Sequence, residues 1–151
     1  MLPVMQPRPL ALVLLLASCA LAAGAGAPLD VRIVNAYARA TPPGVRTAAA
    51  YLTIDNRGAL PDQLVGARSP AAAAVELHTM SHEGGMMRMR EVARVDVPAH
   101  GRVDLVPGGL HAMIVDPKAP LRPGERFPLT LTFARAGAID VEVDVKPLAG
   151  P

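Results

Sequence analysis

PLTLTFARAGAIDVEVDVK, residues 128–146, contains two runs in which apolar and polar side chains alternate. Leu129, Leu131 and Phe133 alternate with Thr130 and Thr132; Ile139, Val141, Val143 and Val145 alternate with Asp140, Glu142 and Asp144. Successive side chains leave a strand on opposite faces, so period-two alternation predicts half-buried strands over 128–135 and 138–146. Working outward, similar runs occupy 30–39, 48–55, 62–68, 73–80, 86–97, 102–106 and 110–115. Between them fall TPPG (41–44), NRG (56–58), GG (84–85), PAHG (98–101), PGG (107–109), DPKAP (116–120) and RPGE (122–125), each with the residues a turn requires. Residues 70–76 have the composition of a short helix, but the Val75/Leu77 alternation favours strand. Nine short strands at this spacing predict a single all-β domain, a sandwich or barrel with Greek-key links.

The first 27 residues read differently. Arg8 is the only charge before Asp30, LALVLLLASCALAA (10–23) is apolar throughout, and AGAGA (23–27) follows. A weakly basic start, a hydrophobic middle and small residues form an export signal over 1–27, with the folded domain at 28–151. A spanning helix would need about 20 apolar residues with polar flanks. Cleavage at Ala23-Gly24-Ala25 leaves a soluble periplasmic protein and is the favoured reading. Leu16-Ala17-Ser18-Cys19 also resembles a lipobox, and lipidation at Cys19 is the one route to a membrane. Cys19 is the only cysteine, so the exported domain has neither a disulfide nor a thiolate ligand.

Without Arg8 the chain has 14 basic and 13 acidic residues, a net charge of +1, and the signs are interspersed. The aromatics are Tyr37, Tyr51, Phe127 and Phe133. Phosphate neutralisation and base stacking both lack their residues, so nucleic acid has little support as a partner and none is expected.

Histidine and methionine are concentrated in one window. All four histidines (78, 82, 100, 111) and every methionine beyond the signal (80, 86, 87, 89, 113) lie between 78 and 113. Methionine used as core filler should be scattered among all the strands. On strands, His111 and Met113 share a face, as do His78 and Met80, while Val75 and Leu77 point to the core and leave His78 outside or at a rim. Thioethers are soft neutral donors that suit Cu(I) better than zinc, magnesium or calcium, and they form no disulfides in an oxidising compartment. Local sequence leaves open whether His111 and Met113 are ligands or an exposed histidine beside a core methionine. His82, in the SHEGG turn region, is read as solvated and His100 as a turn residue. Met86 and Met87 are either auxiliary copper contacts or rim packing, and His82 with them could hold a second ion. Arg88, Arg90 and Arg94 read as a solvated strand face.

The spacing His78, Met89, His111, Met113 is H-x10-M-x21-H-x-M. It resembles the signature of the periplasmic CuA chaperone family, PCu(A)C. YLTIDNRG (51–58), VELHTM (75–80), MRMREV (87–92), PGGLHAMIV (107–115) and PLTLTF (128–133) are similar to that family's framework. Tyr37 in NAYAR departs from it, standing where the family commonly has tryptophan. The resemblance implies a cupredoxin-like β-sandwich in which His78, Met89, His111 and Met113 bind Cu(I). It also implies copper delivery to the CuA domain of cytochrome c oxidase or a related oxidase; the protein is read as a monomeric, non-enzymatic carrier, with the oxidase subunit and other copper chaperones as its partners. Other readings are general copper storage or resistance and a metal-free structural sandwich. A blue-copper site needs a cysteine, and none follows residue 19; a zinc hydrolase of the HExxH type has no motif here.

Overall fold

The computed structural model describes residues 30–149, and every regular element within them is a strand. Residues 1–27, read above as an export signal, lie outside the described residues, and Cys19 with them. The strands are β1 (Val31–Arg39), β2 (Thr47–Asn56), β3 (Asp62–Arg68), β4 (Ala72–Glu83), β5 (Met86–Glu91), β6 (Val95–Val97), β7 (Gly101–Leu105), β8 (His111–Pro117), β9 (Arg126–Phe133) and β10 (Gly137–Lys146). They pair in the order β5-β4-β8-β2-β1-β10-β9-β3-β6, with β7 on β2. A further bridge, Ala67 in β3 to Val75 in β4, wraps the ladder back on itself as a flattened barrel. Only β1 and β10 run parallel; the other pairs are antiparallel. This is the expected all-β, cupredoxin-like sandwich.

The alternation in 128–146 is realised face by face. Leu129, Leu131 and Phe133 of β9 and Val143 and Val145 of β10 are buried, and the acidic residues between the valines are exposed. They meet Ala50, Leu52 and Ile54 of β2, Leu64 of β3, Leu77 of β4, and Ala112 and Ile114 of β8 in one core. Burial of each larger apolar side chain contributes about 1.5–3 kcal/mol. Two buried polar side chains tie loops to this core. Asn56 Nδ2 donates to the carbonyls of Leu60 and Pro98, at 3.0 and 3.1 Å, and its Oδ1 accepts from Gly58 N. The Asp62 carboxylate accepts from the amides of Gln63, Arg135 and Ala136.

Two expectations need correction. The run 86–97 is two strands, because β5 pairs with β4 while β6 pairs with β3, and the chain must cross between them. The amide of Val92 donates to Leu77 O at 2.8 Å where the crossing begins. In addition, β4 runs on to Glu83, so His82 belongs to a strand and not to the turn.

Candidate metal centre

Two turns set the frame. Residues 106–109 (VPGG) form a type II turn, with Pro107 at its second position, Gly108 at φ 81° and Gly109 N donating to Val106 O at 3.1 Å. The turn ends two residues before β8 and delivers His111 as that strand's first residue. Glu83 and Met86 pair across a two-residue loop whose glycines, Gly84 and Gly85, have φ of 59° and 76°. Two consecutive positive φ values define the type I′ hairpin turn, which glycine enters without steric cost.

Registers then bring distant residues together. β4 and β8 pair as Val75↔Ile114, Glu76↔Met113, Leu77↔Ala112 and His78↔His111. Opposed residues in an antiparallel pair share a face. Leu77, Ala112 and Ile114 are buried in the core, so Glu76, His78, His111 and Met113 occupy the opposite face. On the other side of β4 the pairs are His78↔Glu91, Met80↔Met89 and His82↔Met87. The outer face therefore carries His78 and His111 as a central row, with Met113 one step towards the start of β4 and Met89 one step towards its end. All four motif residues lie on this one face. Three of them are contiguous across β4 and β8, and Met89 reaches in from β5. On β2, Ala49 lies opposite Met113 and its small side chain adds no bulk there. Further along the same face of β2, Tyr51 packs against Tyr37 with ring centroids 5.3 Å apart and planes tilted by 44°, and Lys146 Nζ lies 4.2 Å from the Tyr37 centroid. Burial holds the Tyr51 phenol above its ordinary pKa.

The imidazoles are oriented by their partners. His78 Nε2 lies 2.9 Å from Glu76 Oε2, and His111 Nδ1 lies 3.0 Å from Gly109 O. Carboxylate and carbonyl oxygens only accept, so in the neutral rings the protons sit on His78 Nε2 and His111 Nδ1. The lone pairs then lie on His78 Nδ1 and His111 Nε2, in rings whose centroids are 5.8 Å apart. Among the described residues, His78 Nδ1 is the one buried side-chain nitrogen or oxygen without a hydrogen-bond partner. An orphaned buried donor or acceptor costs about 1–3 kcal/mol and calls for a cause. A lone pair held out of water beside a second imidazole and two thioether-bearing residues suits a soft cation. Among the described residues no three His, Cys, Asp or Glu side chains gather as a metal-binding group. The side chains that share the face with this imidazole pair include the thioethers of Met113, Met80 and Met89.

The direction expected for His78 holds, but its exposure does not: it is only 8 % exposed, covered by the strands and side chains on both sides of it. His82 and Met87 lie on the site's face, and both are exposed. Met86 pairs with Glu83 and projects to the reverse face with Arg88 and Arg90. His100 sits in a turn at φ 49°. Sequence reasoning placed Met80 on the face of His78 without giving it a role, and passed over Glu76 and Glu91. Glu76 was detectable, lying two residues before His78 on its strand.

Residues 31–145 match the family described as "Putative lipoprotein LpqE-like". "Putative lipoprotein Lxx21020" of Leifsonia xyli subsp. xyli is 33 % identical over 121 residues, covering 80 % of this chain and 72 % of the relative. An uncharacterized protein of Rickettsia prowazekii, RP573, is 32 % identical over 93 residues, 59 % of this chain and 50 % of its own. Among solved structures, Cu(I)-bound DR1885 of Deinococcus radiodurans is 37 % identical, with a TM-score of 0.64 over 82 % of this chain and 83 % of that one. The copper-bound PCuAC domain from PmoF2 is 25 % identical, with a TM-score of 0.66 over 78 % of this chain and 93 % of that domain. Family match, identity and shared architecture agree: this chain belongs to the LpqE-like, PCu(A)C family.

Proposed function

We propose that this protein is a Cu(I) carrier of the periplasm that delivers its ion to an oxidase copper centre, the CuA domain being the intended acceptor. The observation that carries the reading is the unpartnered, buried Nδ1 of His78 next to His111, on a face shared with Met113 and Met89. The copper-bound state of two structural relatives supports the choice of metal, and Cu(I)-bound DR1885 supports its oxidation state. His78 and His111 supply nitrogen, and Met113 and Met89 supply sulfur. This neutral set favours Cu(I) over Cu(II), which prefers tetragonal N and O donors.

Exchange starts at the exposed side. Met89 is 51 % exposed on an edge strand, whereas Met113 is half-buried between β2 and β4. An incoming acceptor thiolate displaces Met89 first, and the imidazoles let go last. This is carrier chemistry and involves no catalysis. The lipoprotein descriptions of the family and of the Leifsonia relative support export, and they favour anchoring through Cys19 over release at Ala25. Mass spectrometry of the mature amino terminus distinguishes the two.

The test is a Cu(I) titration against a competing chelator, repeated with Zn(II). One tight Cu(I) site, severely weakened in His111→Ala and Met113→Leu with the fold intact, is expected. Equal affinity in those variants removes the proposed ligand set.

A further inference from the structure

We infer a second soft-metal site on the β4–β5 hairpin, formed by Met80, His82 and Met87, which holds a second Cu(I) further out on the same face. The copper reading above supplies the identity of the ion; the site itself rests on separate residues. The type I′ turn fixes the hairpin register, so His82 lies opposite Met87 and Met80 opposite Met89. Opposed Cβ atoms in such pairs are about 4.5–5.5 Å apart and diagonal ones about 7–8 Å. A thioether side chain with three rotatable bonds spans those gaps.

Three features set these side chains apart from ordinary surface residues. On the site's face of the hairpin, Met87 and Met89 are 46 % and 51 % exposed and His82 is exposed beside them. Side chains this exposed bring the fold little burial energy, which leaves these thioethers available to a ligand. His82 forms no hydrogen bond, ion pair or ring contact among the described residues, which leaves its ring free to turn towards Met87. The nearby positive charge is directed elsewhere: Arg90 and Arg88 lie on the reverse face, 2.7 and 3.9 Å from the Glu83 carboxylate. One imidazole and two thioethers make a three-donor neutral set, which Cu(I) accepts. Two-residue steps along β4, about 6.6–6.8 Å each, then link His82, Met80 and His78 into a line of soft donors. Copper taken up near the hairpin tip can pass inward along this line, with Met89 beside both sites.

The test is an anaerobic Cu(I) titration of the mature protein, followed by chelator competition and by NMR of methyl-13C-methionine. Wild type is expected to take two equivalents. The first shifts the Met113 methyl, and the weaker second shifts those of Met80 and Met87. The double variant His82→Gln/Met87→Leu should stop at one equivalent with the first affinity unchanged, and His111→Ala should keep the outer ion. Saturation of wild type at one equivalent, with the hairpin methyls unmoved, overturns the proposal. So does uptake of two equivalents by the double variant. Failure of the copper-carrier reading has its own signature: a first equivalent that His111→Ala leaves unaltered.

Discussion

The two ends of the proposed metal-binding face are built to different standards. At the β4–β8 end His78 and His111 are 8 % and 6 % exposed, each ring is held by an oxygen partner, and Leu77, Ala112 and Ile114 lie behind them in the core. At the β5 end no residue is buried, and the strand pairs with β4 alone. Rigid imidazoles backed by a close-packed core need no reorganisation to bind, while exposed thioethers on an edge strand give way at little cost. A carrier requires both properties, a firm hold and a yielding side, and here they belong to opposite ends of one sheet face.

The largest effect should come from the layer behind the histidines. Ile114→Ala removes buried volume directly beneath the site and should cost about 2–5 kcal/mol of stability by chemical denaturation. Against a total of about 5–15 kcal/mol for a typical domain, that is a severe loss. If Ile114→Ala were neutral, the rigid backing assigned to the β4–β8 end would be wrong. Next is His111→Ala, which removes a buried donor from the face opposite the apolar core. Chelator competition should show Cu(I) affinity falling by more than about a hundredfold, beyond the 10–100-fold typical of residues that merely orient a ligand, while the apo protein still unfolds cooperatively, at a somewhat lower temperature because a buried side chain is lost. Glu76→Ala should cost about tenfold in affinity, because the carboxylate that holds His78 Nε2 and leaves Nδ1 free is gone. Its distinguishing readout is the imidazole 15N spectrum, in which the His78 tautomer should become mixed. Smallest at equilibrium is Met89→Leu, expected to weaken binding less than Met113→Leu. In stopped-flow transfer to a thiol acceptor it should change the release rate more than any substitution at the rigid end. A Met89 effect equal to that of His111 would erase the distinction between the two ends.

Much of this architecture was legible from residue order. Alternation in β9 and β10 located the core face, since a strand's two-residue period translates directly into burial. The paired glycines of 84–85 announced the hairpin that returns Met89 to His78. Three features were not readable. The split of 86–97 depends on which edge each half pairs with, a long-range fact that local pattern does not encode. Burial of His78 arises from neighbours on β5 and β8, remote in sequence from it. Met86 looked equivalent to Met87 until the I′ turn fixed the parity of β5 and turned Met86 to the far side. The motif positions were found in the sequence by spacing and residue type; their common face is a result of register.

X-ray absorption at the copper edge of the Cu(I)-loaded protein, at one equivalent, tests the central claim most directly. Nitrogen and sulfur should both appear in the first shell, with the sulfur share falling in Met113→Leu and the nitrogen share in His111→Ala. A shell of nitrogen and oxygen alone, unchanged by either substitution, would contradict the convergence of two imidazoles and two thioethers on a single ion.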